Sequence, residues 1–329
     1  MKYFYSSFVI AIIGLVIAYF IGSYEALYIS VLLSILEISL SFDNAVVNAK
    51  ILDTMDAKWR KRFIIYGIPI AVFGMRLVFP IVIVAIVAKM GLYETVHLAI
   101  FDPHLYKENL EANKEGIYTF GGGFLLMVFL EFFFSKEREV SWLKFLEDNI
   151  VTRWLKNLEN ITLIIALLVG VIIIALSQSH LIAISYFSSI LLYVVISSCM
   201  GSLSKQGVRS GIMGFLYLEV LDASFSFDGV IGAFALSENI FIIMIGLGIG
   251  AMFVRSITIY LVEKKTLQSF IYLEHGAHYA ILALSIIMFI KLTHEVSELI
   301  TGLIGIAFIL VSFIGSLMYN KKHPQVESL

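Results

Sequence analysis

Long apolar runs, separated by short charged stretches, repeat along the whole sequence. A helix needs about 20 consecutive apolar residues to cross the hydrocarbon core of a bilayer, and the runs are of that order. The 329 residues are 60% hydrophobic and only 15% charged, whereas soluble domains carry about 25% charged residues. The sequence therefore predicts an all-α polytopic membrane protein that is embedded in the lipid bilayer as its partner.

We predict ten membrane spans from these runs. The first run has the apolar character of a signal peptide, but it lacks a clear small-x-small cleavage site and a second run follows at once, so we count it as a span. A single cysteine, Cys199, excludes an internal disulfide and a cysteine-based metal site. The predicted spans are residues 5–22, 26–49, 63–89, 119–135, 160–177, 181–200, 211–234, 239–262, 271–291 and 297–319.

Most of the 23 Lys and Arg residues lie in the loops that follow the even-numbered spans. The positive-inside rule assigns such loops to the cytoplasm, so we predict an inner (plasma) membrane protein with both termini in the cytoplasm. The loop 90–118 then lies outside. It is acidic and contains His97 and His104, and we interpret it as a solvated loop rather than a collector of cations. The cytoplasmic loop 136–160 has apolar residues at helical spacing, which predicts an amphipathic helix at the membrane surface.

A short acidic motif occurs twice in the chain. Residues 37–43 read EISLSFD, and residues 222–228 read DASFSFD. Downstream, GIPIAVFGMR (67–76) matches GLGIGAMFVR (246–255), and each copy ends in an arginine. The two copies lie in spans of opposite predicted direction. The sequence therefore predicts one transporter domain, 1–329, made of two inverted five-helix repeats at about 1–177 and 178–329, an architecture that many secondary transporters share.

The end of each motif copy also predicts a break in its helix. In a continuous helix, residues six apart differ in direction by about 240°. Asp43 would then point away from Glu37, and Asp228 away from Glu219, since residues nine apart differ by about 180°. Serine and aspartate compete with the helix for backbone hydrogen bonds, so an unwound turn at S-F-D would turn Asp43 towards Glu37 and Asp228 towards Asp222. Irregular backbone at this depth is tolerated only where it is buried in protein or lines a cavity.

Five acids lie inside predicted spans, where each charge costs about 2.5–3.5 kcal/mol on insertion scales. Arg76 and Arg255 also lie inside spans and can form ion pairs with two of these acids. The remaining negative charge favours a divalent cation or protons, and carboxylate, amide and hydroxyl oxygens suit Mn²⁺, Mg²⁺ or Ca²⁺. The predicted metal ligands are Glu37, Asp43, Asn44, Glu219, Asp222 and Asp228, with Ser41 and Ser226 as additional ligands.

The alternative interpretation is that these acids are structural and are held by the two arginines and by Ser or Asn hydrogen bonds. For Arg76 and Arg255 themselves, structural pairing is the favoured role. Glu274 and His278 are four residues apart on one helical face, a spacing typical of metal ligands, but a capping or interfacial role fits their place near the cytoplasmic boundary equally well. Glu131 and His275 are further candidates of the same kind.

Two stretches resemble the signatures of the TerC family of integral membrane proteins. The first is EISLSFDNAVVNA (37–49), and the second is EVLDASFSFDGVIGAFALSENIFI (219–242). The resemblance covers most of 26–50 and 211–262. TerC proteins are linked to tellurium resistance, several export manganese, and the family is placed in the LysE superfamily of two-repeat exporters. Gly229 stands where the family usually has serine, which makes this chain a divergent branch that lacks one hydroxyl ligand.

The resemblance and the acids together predict an inner-membrane exporter of a divalent cation, Mn²⁺ above all, that works by alternating access. The sequence has no G-x-x-x-x-G-K-[ST] motif, so the proton gradient or the membrane potential would supply the energy. A transporter of a tellurium oxyanion or an organic cation is one alternative, and the acidic site disfavours the oxyanion. A membrane scaffold or stress-resistance protein without transport activity is another. An enzyme is least favoured, and neither a nucleic acid partner nor a permanently bound cofactor is expected.

Overall fold

The computed structural model of the chain describes residues 3–87, 89–136, 138, 140–203, 212–234, 236–265 and 269–322, except for some side chains inside helices. The described part is helical and contains no β-strand. A π-helix, Ile70–Val78, joins α3 to α4. The α-helices are α1 (Tyr5–Leu40), α2 (Phe42–Thr54), α3 (Ala57–Pro69), α4 (Phe79–Val87), α5 (Leu92–Phe101), α6 (Pro103–Ala112), α7 (Lys114–Phe134), α8 (Lys144–Glu147), α9 (Ile150–Leu155), α10 (Ile161–Ser177), α11 (His180–Leu203), α12 (Ile212–Ala233), α13 (Ile240–Glu263), α14 (Leu273–Ile290) and α15 (Glu298–Lys322).

Six helices in the described residues are long and apolar enough to cross a membrane, and a bent pair makes a seventh. The bent pair is Ala57–Gly67 with Val72–Val82. The prediction of an all-helical membrane protein therefore agrees with the structure. The arrangement of ten spans in an inverted repeat is not confirmed and stays a prediction. The six helices are Tyr5–Leu40, Lys114–Phe134, His180–Ser198, Ile240–Glu263, Leu273–Ile290 and Ile300–Lys322.

Helix α1 contains a kink where the sequence predicted a loop between the first two spans. Its 36 residues would extend about 54 Å as one straight helix, well beyond a hydrocarbon core of about 30 Å. The helix is interrupted at Gly22 and Ser23, and Ser23 adopts a left-handed φ of 58°. The two halves of α1 therefore run in different directions.

The predicted break at the acidic motif is present in the first copy and absent from the second. Helix α1 ends at Leu40, Ser41 lies between the helices, and α2 begins at Phe42. By contrast, α12 runs without interruption through residues 222–228, so the predicted break there is wrong. Ser39 and Ser224 make the same bond to the carbonyl four residues earlier, each at 2.9 Å, so the copies differ at the next serine. Ser41 Oγ donates to Glu37 Oε1 at 3.0 Å, whereas Ser226 Oγ has no partner among the described residues.

The helix that carries Arg76 is bent by 50° between Ala57–Gly67 and Val72–Val82. Pro69 lies at this bend, and the π-helix follows it directly. Proline lacks an N–H and clashes with the preceding turn, and a π-helix displaces the hydrogen-bond register, so both favour a kink. Arg76 lies within the π-helical segment.

Three glycines let α13 approach two neighbouring helices at the depth of the acids. A Cβ at Gly246 would lie 2.6 Å from Leu33 Cβ, and a Cβ at Gly250 would lie 2.5 Å from Glu37 Cβ, so both glycines face α1. A Cβ at Gly248 would lie 3.0 Å from Val72 in the π-helix. Small residues allow membrane helices to pack closely in this way. Helix α13 therefore holds α1 and the bent helix side by side.

The loop 90–118 is folded rather than merely solvated. Its helix α6 buries Tyr106 and Leu110, and the Tyr106 ring lies 5.8 Å from the ring of Phe234, which directly follows α12. His104 remains exposed, 3.8 Å from the Glu108 carboxylate. This loop therefore covers one end of the helical core, which differs from the solvated loop that the sequence indicated.

The loop 136–160 does not form the predicted amphipathic helix. It contains two short helices, α8 and α9, and Glu147 at the end of α8 is completely buried. The Glu147 carboxylate accepts from the backbone N–H groups of Trp142 and Leu143 at 3.1 and 3.3 Å. These bonds fold the loop back on itself, because a buried carboxylate needs donors close by.

Candidate ion-binding site

Arg76 bridges carboxylates from the two copies of the acidic motif. Its Nη2 lies 2.5 Å from Glu37 Oε1 on α1, and its Nη1 lies 3.1 Å from Asp222 Oδ2 on α12. The exposed fractions are 2% for the Arg76 side chain, 1% for Glu37 and 17% for Asp222. A guanidinium group suits this geometry because its nitrogens form a planar fork. The Arg76 guanidinium therefore joins three helical segments: α1, the π-helix and α12.

Ser41 and Asn44, on either side of the break between α1 and α2, extend this network. Ser41 Oγ donates to Glu37 Oε1 at 3.0 Å, and Asn44 Nδ2 donates to Asp222 Oδ1 at 2.8 Å. The short gap at Ser41 thus gives the carboxylates on α1 and α12 a second link. We call Glu37, Ser41, Asn44, Arg76 and Asp222 the Arg76 network.

Asp43 is buried at the start of α2 but is not a partner of Arg76 in the contacts of the described residues. Its Oδ1 accepts from the Asn44 N–H at 3.0 Å. A carboxylate in the first turn of a helix is stabilised by the partial positive charge of that helix end. The break at Ser41 therefore gives Asp43 a helix N-terminus as its counter-charge, although we expected it to turn towards Glu37.

A small cavity lies beside the Arg76 network. Its volume of about 20 Å³ can hold one water molecule or one bare cation. Glu219 and Asn48 line it, with exposed fractions of 7% and 5%. In the described part of the chain, Glu219 Oε1 and Asn48 Oδ1 are buried without a hydrogen-bond partner. The complete lining is Asn48, Phe63, Arg76, Glu219, Asp222, Ala251, Val254, Arg255 and Thr258.

Arg255 does not form the ion pair that we expected from its position in the repeat. Its Nη1 donates to the Gly67 carbonyl and its Nη2 to the Phe63 carbonyl, each at 2.7 Å, and its guanidinium lies 4.0 Å from the centre of the Phe63 ring. The described ion pairs include none for Arg255. A Cβ at Gly67 would lie 1.5 Å from Arg255 Nη2, so only glycine leaves room for this contact.

The second motif copy is less completely described than the first. Ser226 is buried, and its Oγ has no partner among the described residues. The side chain of Asp228 lies outside the described residues, as does that of Cys199. Gly229 packs against the first copy, since a Cβ there would lie 3.1 Å from Glu37 Oε2. A serine at this position would therefore stand beside the Glu37 carboxylate.

Within the described residues, no group of three or more His, Cys, Asp or Glu side chains is arranged to hold a metal ion. Between Glu37 and Asp222, the position that a cation would take is occupied by the Arg76 guanidinium. The described acids of the predicted ligand set are Glu37, Asp43, Glu219 and Asp222. They outnumber the two guanidinium groups of Arg76 and Arg255, so the region has an excess of carboxylates.

The remaining candidate residues lie apart from the Arg76 network. Glu131 accepts a hydrogen bond from Tyr193 Oη. The Glu274 carboxylate pairs with Lys50 Nζ at 2.8 Å. His278 bonds through Nδ1 to the Glu274 backbone carbonyl at 2.8 Å, not to its carboxylate. The predicted ligand pair of Glu274 and His278 is therefore not formed, and their contacts agree with the capping or interfacial alternative.

The sequence reasoning missed a buried polar cluster around Glu147. Glu147 Oε2 lies 3.2 Å from Arg138 Nη2 and 3.6 Å from His275 Nε2, while Tyr279 Oη donates to Glu147 Oε1 at 3.0 Å. His275 Nε2 also bonds to the Val140 carbonyl at 2.9 Å. The only signal in the sequence was an acid among helically spaced apolar residues, which amphipathic helices share. The cluster fastens the loop 136–160 to α14.

A second missed residue is Asn48, which lines the cavity. The available signal was its position four residues after Asn44, on the same helical face. Residues with this spacing are neighbours on a helix surface.

Comparison with known proteins gives one match. No curated protein and no solved structure matches the chain. The model of the family described as "Protein of unknown function (DUF475)" matches residues 42–323, a range that includes Arg76, Asp222 and Arg255 and begins just after Glu37. Because this range is most of the sequence, the chain belongs to the DUF475 family of proteins of unknown function.

Proposed function

We propose that this protein is an integral membrane transporter that exports a divalent cation, Mn²⁺ above all, by alternating access. The observation that carries the proposal is the Arg76 network, in which Glu37 and Asp222 from the two motif copies meet at one buried position. Ionisable residues within membrane-spanning segments are expensive and typically mark ion pathways. An excess of carboxylates around a single bridging guanidinium suits a site that exchanges cations.

The donor chemistry favours a hard cation. Asp222, Glu219, Asn44 and Asn48 present carboxylate or amide oxygens near one another, and part of this set lines the cavity. Mn²⁺, Mg²⁺ and Ca²⁺ prefer such ligands, and a net negative site disfavours an oxyanion. The resemblance of 37–49 and 219–242 to TerC signatures selects Mn²⁺ among these ions.

The proposal includes the inverted repeat of ten spans. Helices α10, with 17 residues, and α12, which carries Glu219 and Asp222, lie at the positions of predicted spans five and seven. The kink at Gly22 and Ser23 divides α1 into two segments at the predicted boundary. Alternating access then consists of one repeat rocking against the other about the acidic motifs, as in other inverted-repeat transporters. We place both termini in the cytoplasm and the protein in the inner membrane, on the basis of the Lys and Arg distribution.

One observation favours a different function. Because Arg76 already pairs with Glu37 and Asp222, the network also suits a purely structural role in a membrane scaffold that transports nothing. Such a protein would need its acids only for folding. The two functions therefore differ in what a neutral substitution of an acid does to ion flux.

Transport by purified protein in liposomes tests the proposal. The liposomes contain a metal-sensitive dye and are screened with Mn²⁺, Mg²⁺, Ca²⁺ and Zn²⁺ under an imposed proton gradient or membrane potential. We expect Mn²⁺ flux that exceeds the flux of Mg²⁺ and of protein-free liposomes. A folded, correctly inserted protein that carries none of these ions would contradict the proposal and favour the scaffold.

A further inference from the structure

We infer that Arg76 is a tethered competitor of the transported cation: its guanidinium occupies the cation position between Glu37 and Asp222 and must leave when the cation binds. The inference rests on the proposed transport of a divalent cation and adds how the site is emptied and refilled. It assigns Arg76 a role in exchange, beyond the structural pairing that its sequence position favoured.

The two ends of the guanidinium differ in a way that gives exchange a starting point. The contact to Glu37 is short, at 2.5 Å, and both partners are almost fully buried. The contact to Asp222 is longer, at 3.1 Å, and Asp222 is the more exposed carboxylate and lines the cavity. An incoming cation in the cavity therefore meets Asp222 before Glu37, and the contact between Arg76 and Asp222 is the first to open.

The cavity also offers the displaced guanidinium a second set of acceptors. Glu219 Oε1 and Asn48 Oδ1 are buried there without a hydrogen-bond partner among the described residues, and Arg76 lines the same cavity. A buried polar atom without a partner costs about 1–3 kcal/mol, so these oxygens favour the arrival of a donor. When a divalent cation binds Glu37 and Asp222, Arg76 can turn to Glu219 and Asn48. The Arg76 guanidinium then has a carboxylate partner both before and after the metal ion binds.

The local backbone favours such a movement. Arg76 lies in a nine-residue π-helix that follows Pro69, at a bend of 50°. π-Helical segments are rare and occur frequently at functional sites. A change of this segment towards α-helical register would rotate Arg76 about the helix axis while the helix stays in place.

Arg255 provides a matched comparison. It occupies the corresponding position in the second copy, but both of its terminal nitrogens bond to backbone carbonyls. Arg255→Gln leaves the Arg76 guanidinium between Glu37 and Asp222. Arg76→Gln removes this guanidinium from both carboxylates. Arg153 is a second comparison, since it is exposed and pairs with Asp148 far from these helices in sequence.

Equilibrium binding of Mn²⁺ to the full-length protein in detergent tests the inference. We expect Arg76→Gln to bind Mn²⁺ at least about tenfold more tightly than the wild type, because one competing positive charge next to the dication is gone. Arg255→Gln should change the affinity less, and Arg153→Gln should leave it unchanged. Mn²⁺ should also raise the melting temperature of Arg76→Gln more than that of the wild type.

An Arg76→Gln protein that binds Mn²⁺ with wild-type or weaker affinity would overturn the inference, and wild-type flux in liposomes would leave the proposed function intact. If neither protein binds Mn²⁺, the proposed function itself fails. Should Arg76→Gln not fold, Glu37→Gln with Arg76→Gln is compared with Glu37→Gln alone, because this double variant removes one positive and one negative charge together and leaves the net charge unchanged. Tighter Mn²⁺ binding by the double variant supports the inference, and equal binding contradicts it.

Discussion

Arg76 donates to Glu37 at 2.5 Å, and both side chains are almost completely buried in helices that belong to the apolar body of the protein. A buried ion pair contributes little when it is compared with an apolar pair of the same size, but loss of one partner leaves a charge without compensation. The effect of each side chain on the stability of the protein therefore depends on the presence of the other.

Glu37→Gln should destabilise the protein by about 3–5 kcal/mol, because Arg76 then loses its most deeply buried described counter-charge. The double variant Glu37→Gln with Arg76→Gln should recover a large part of this loss. Thermal unfolding in detergent measures both effects. Strictly additive losses in the double variant would show that the two side chains are not energetically coupled.

The close approach of α13 to α1 predicts a packing effect at Gly250. Alanine at this position would place a Cβ 2.5 Å from Glu37 Cβ and 2.8 Å from the Ser34 carbonyl oxygen. We expect Gly250→Ala to cost about 1–3 kcal/mol, since overpacking forces the helices apart. The matched control is Gly305→Ala in α15, where a Cβ would meet no atom within 4 Å. An equal melting temperature for the two variants would contradict the packing described for α13.

Glu147 and Asp148 are neighbours in sequence with opposite surroundings, so they form a natural pair of variants. Glu147 is completely buried beside Arg138, whereas Asp148 is in the exposed loop, where the hydrogen bond from Arg153 lowers its pKa. Glu147→Gln should cost about 3–5 kcal/mol because Arg138 loses its buried counter-charge. Asp148→Asn should change the melting temperature little, because exposed ion pairs contribute little. Equal effects would mean that the loop 136–160 is not fastened to α14 through Glu147.

The inverted repeat predicts on which side of the membrane each loop lies. In a protein with Cys199 replaced by serine, single cysteines at positions 61, 144 and 265 should react with a membrane-impermeant reagent only from the cytoplasmic side. Cysteines at position 104 and at position 238, in the loop after span 7, should react only from the outside. If the loops after spans 2 and 7 are labelled from the same side, the two repeats are not inverted and the proposed midplane site loses its basis.

The sequence allowed the helical membrane architecture to be predicted, because apolar runs of this length are typical of membrane-spanning helices. It also located the break at Ser41, since Ser and Asp compete with helix hydrogen bonds. The same residues did not break α12, where Ser226, the counterpart of Ser41, has no hydrogen-bond partner among the described residues. Local sequence pattern alone could not distinguish these two outcomes, because Ser41 and Ser226 are identical in sequence and differ only in their side-chain contacts.

The partners of the buried charges were harder to predict than their existence. Carboxylates inside spans need counter-charges, and this indicated both arginines. Arg255 instead meets the carbonyls of Gly67 and Phe63, contacts that are 188 and 192 residues distant in sequence. The burial of Glu147 could not be predicted, because it depends on a loop folding back onto α14, a contact distant in sequence.

The most direct test of the central claim is Mn²⁺ flux through Asp222→Asn in liposomes, measured beside the wild type and Asp148→Asn. Asparagine keeps the shape of Asp222 and one of its two acceptor oxygens but removes the charge that faces the cavity. We expect Asp222→Asn to insert and fold yet carry no Mn²⁺, while Asp148→Asn carries Mn²⁺ at the wild-type rate. A well-folded Asp222→Asn protein that transports Mn²⁺ as fast as the wild type would contradict a cation site at the Arg76 network.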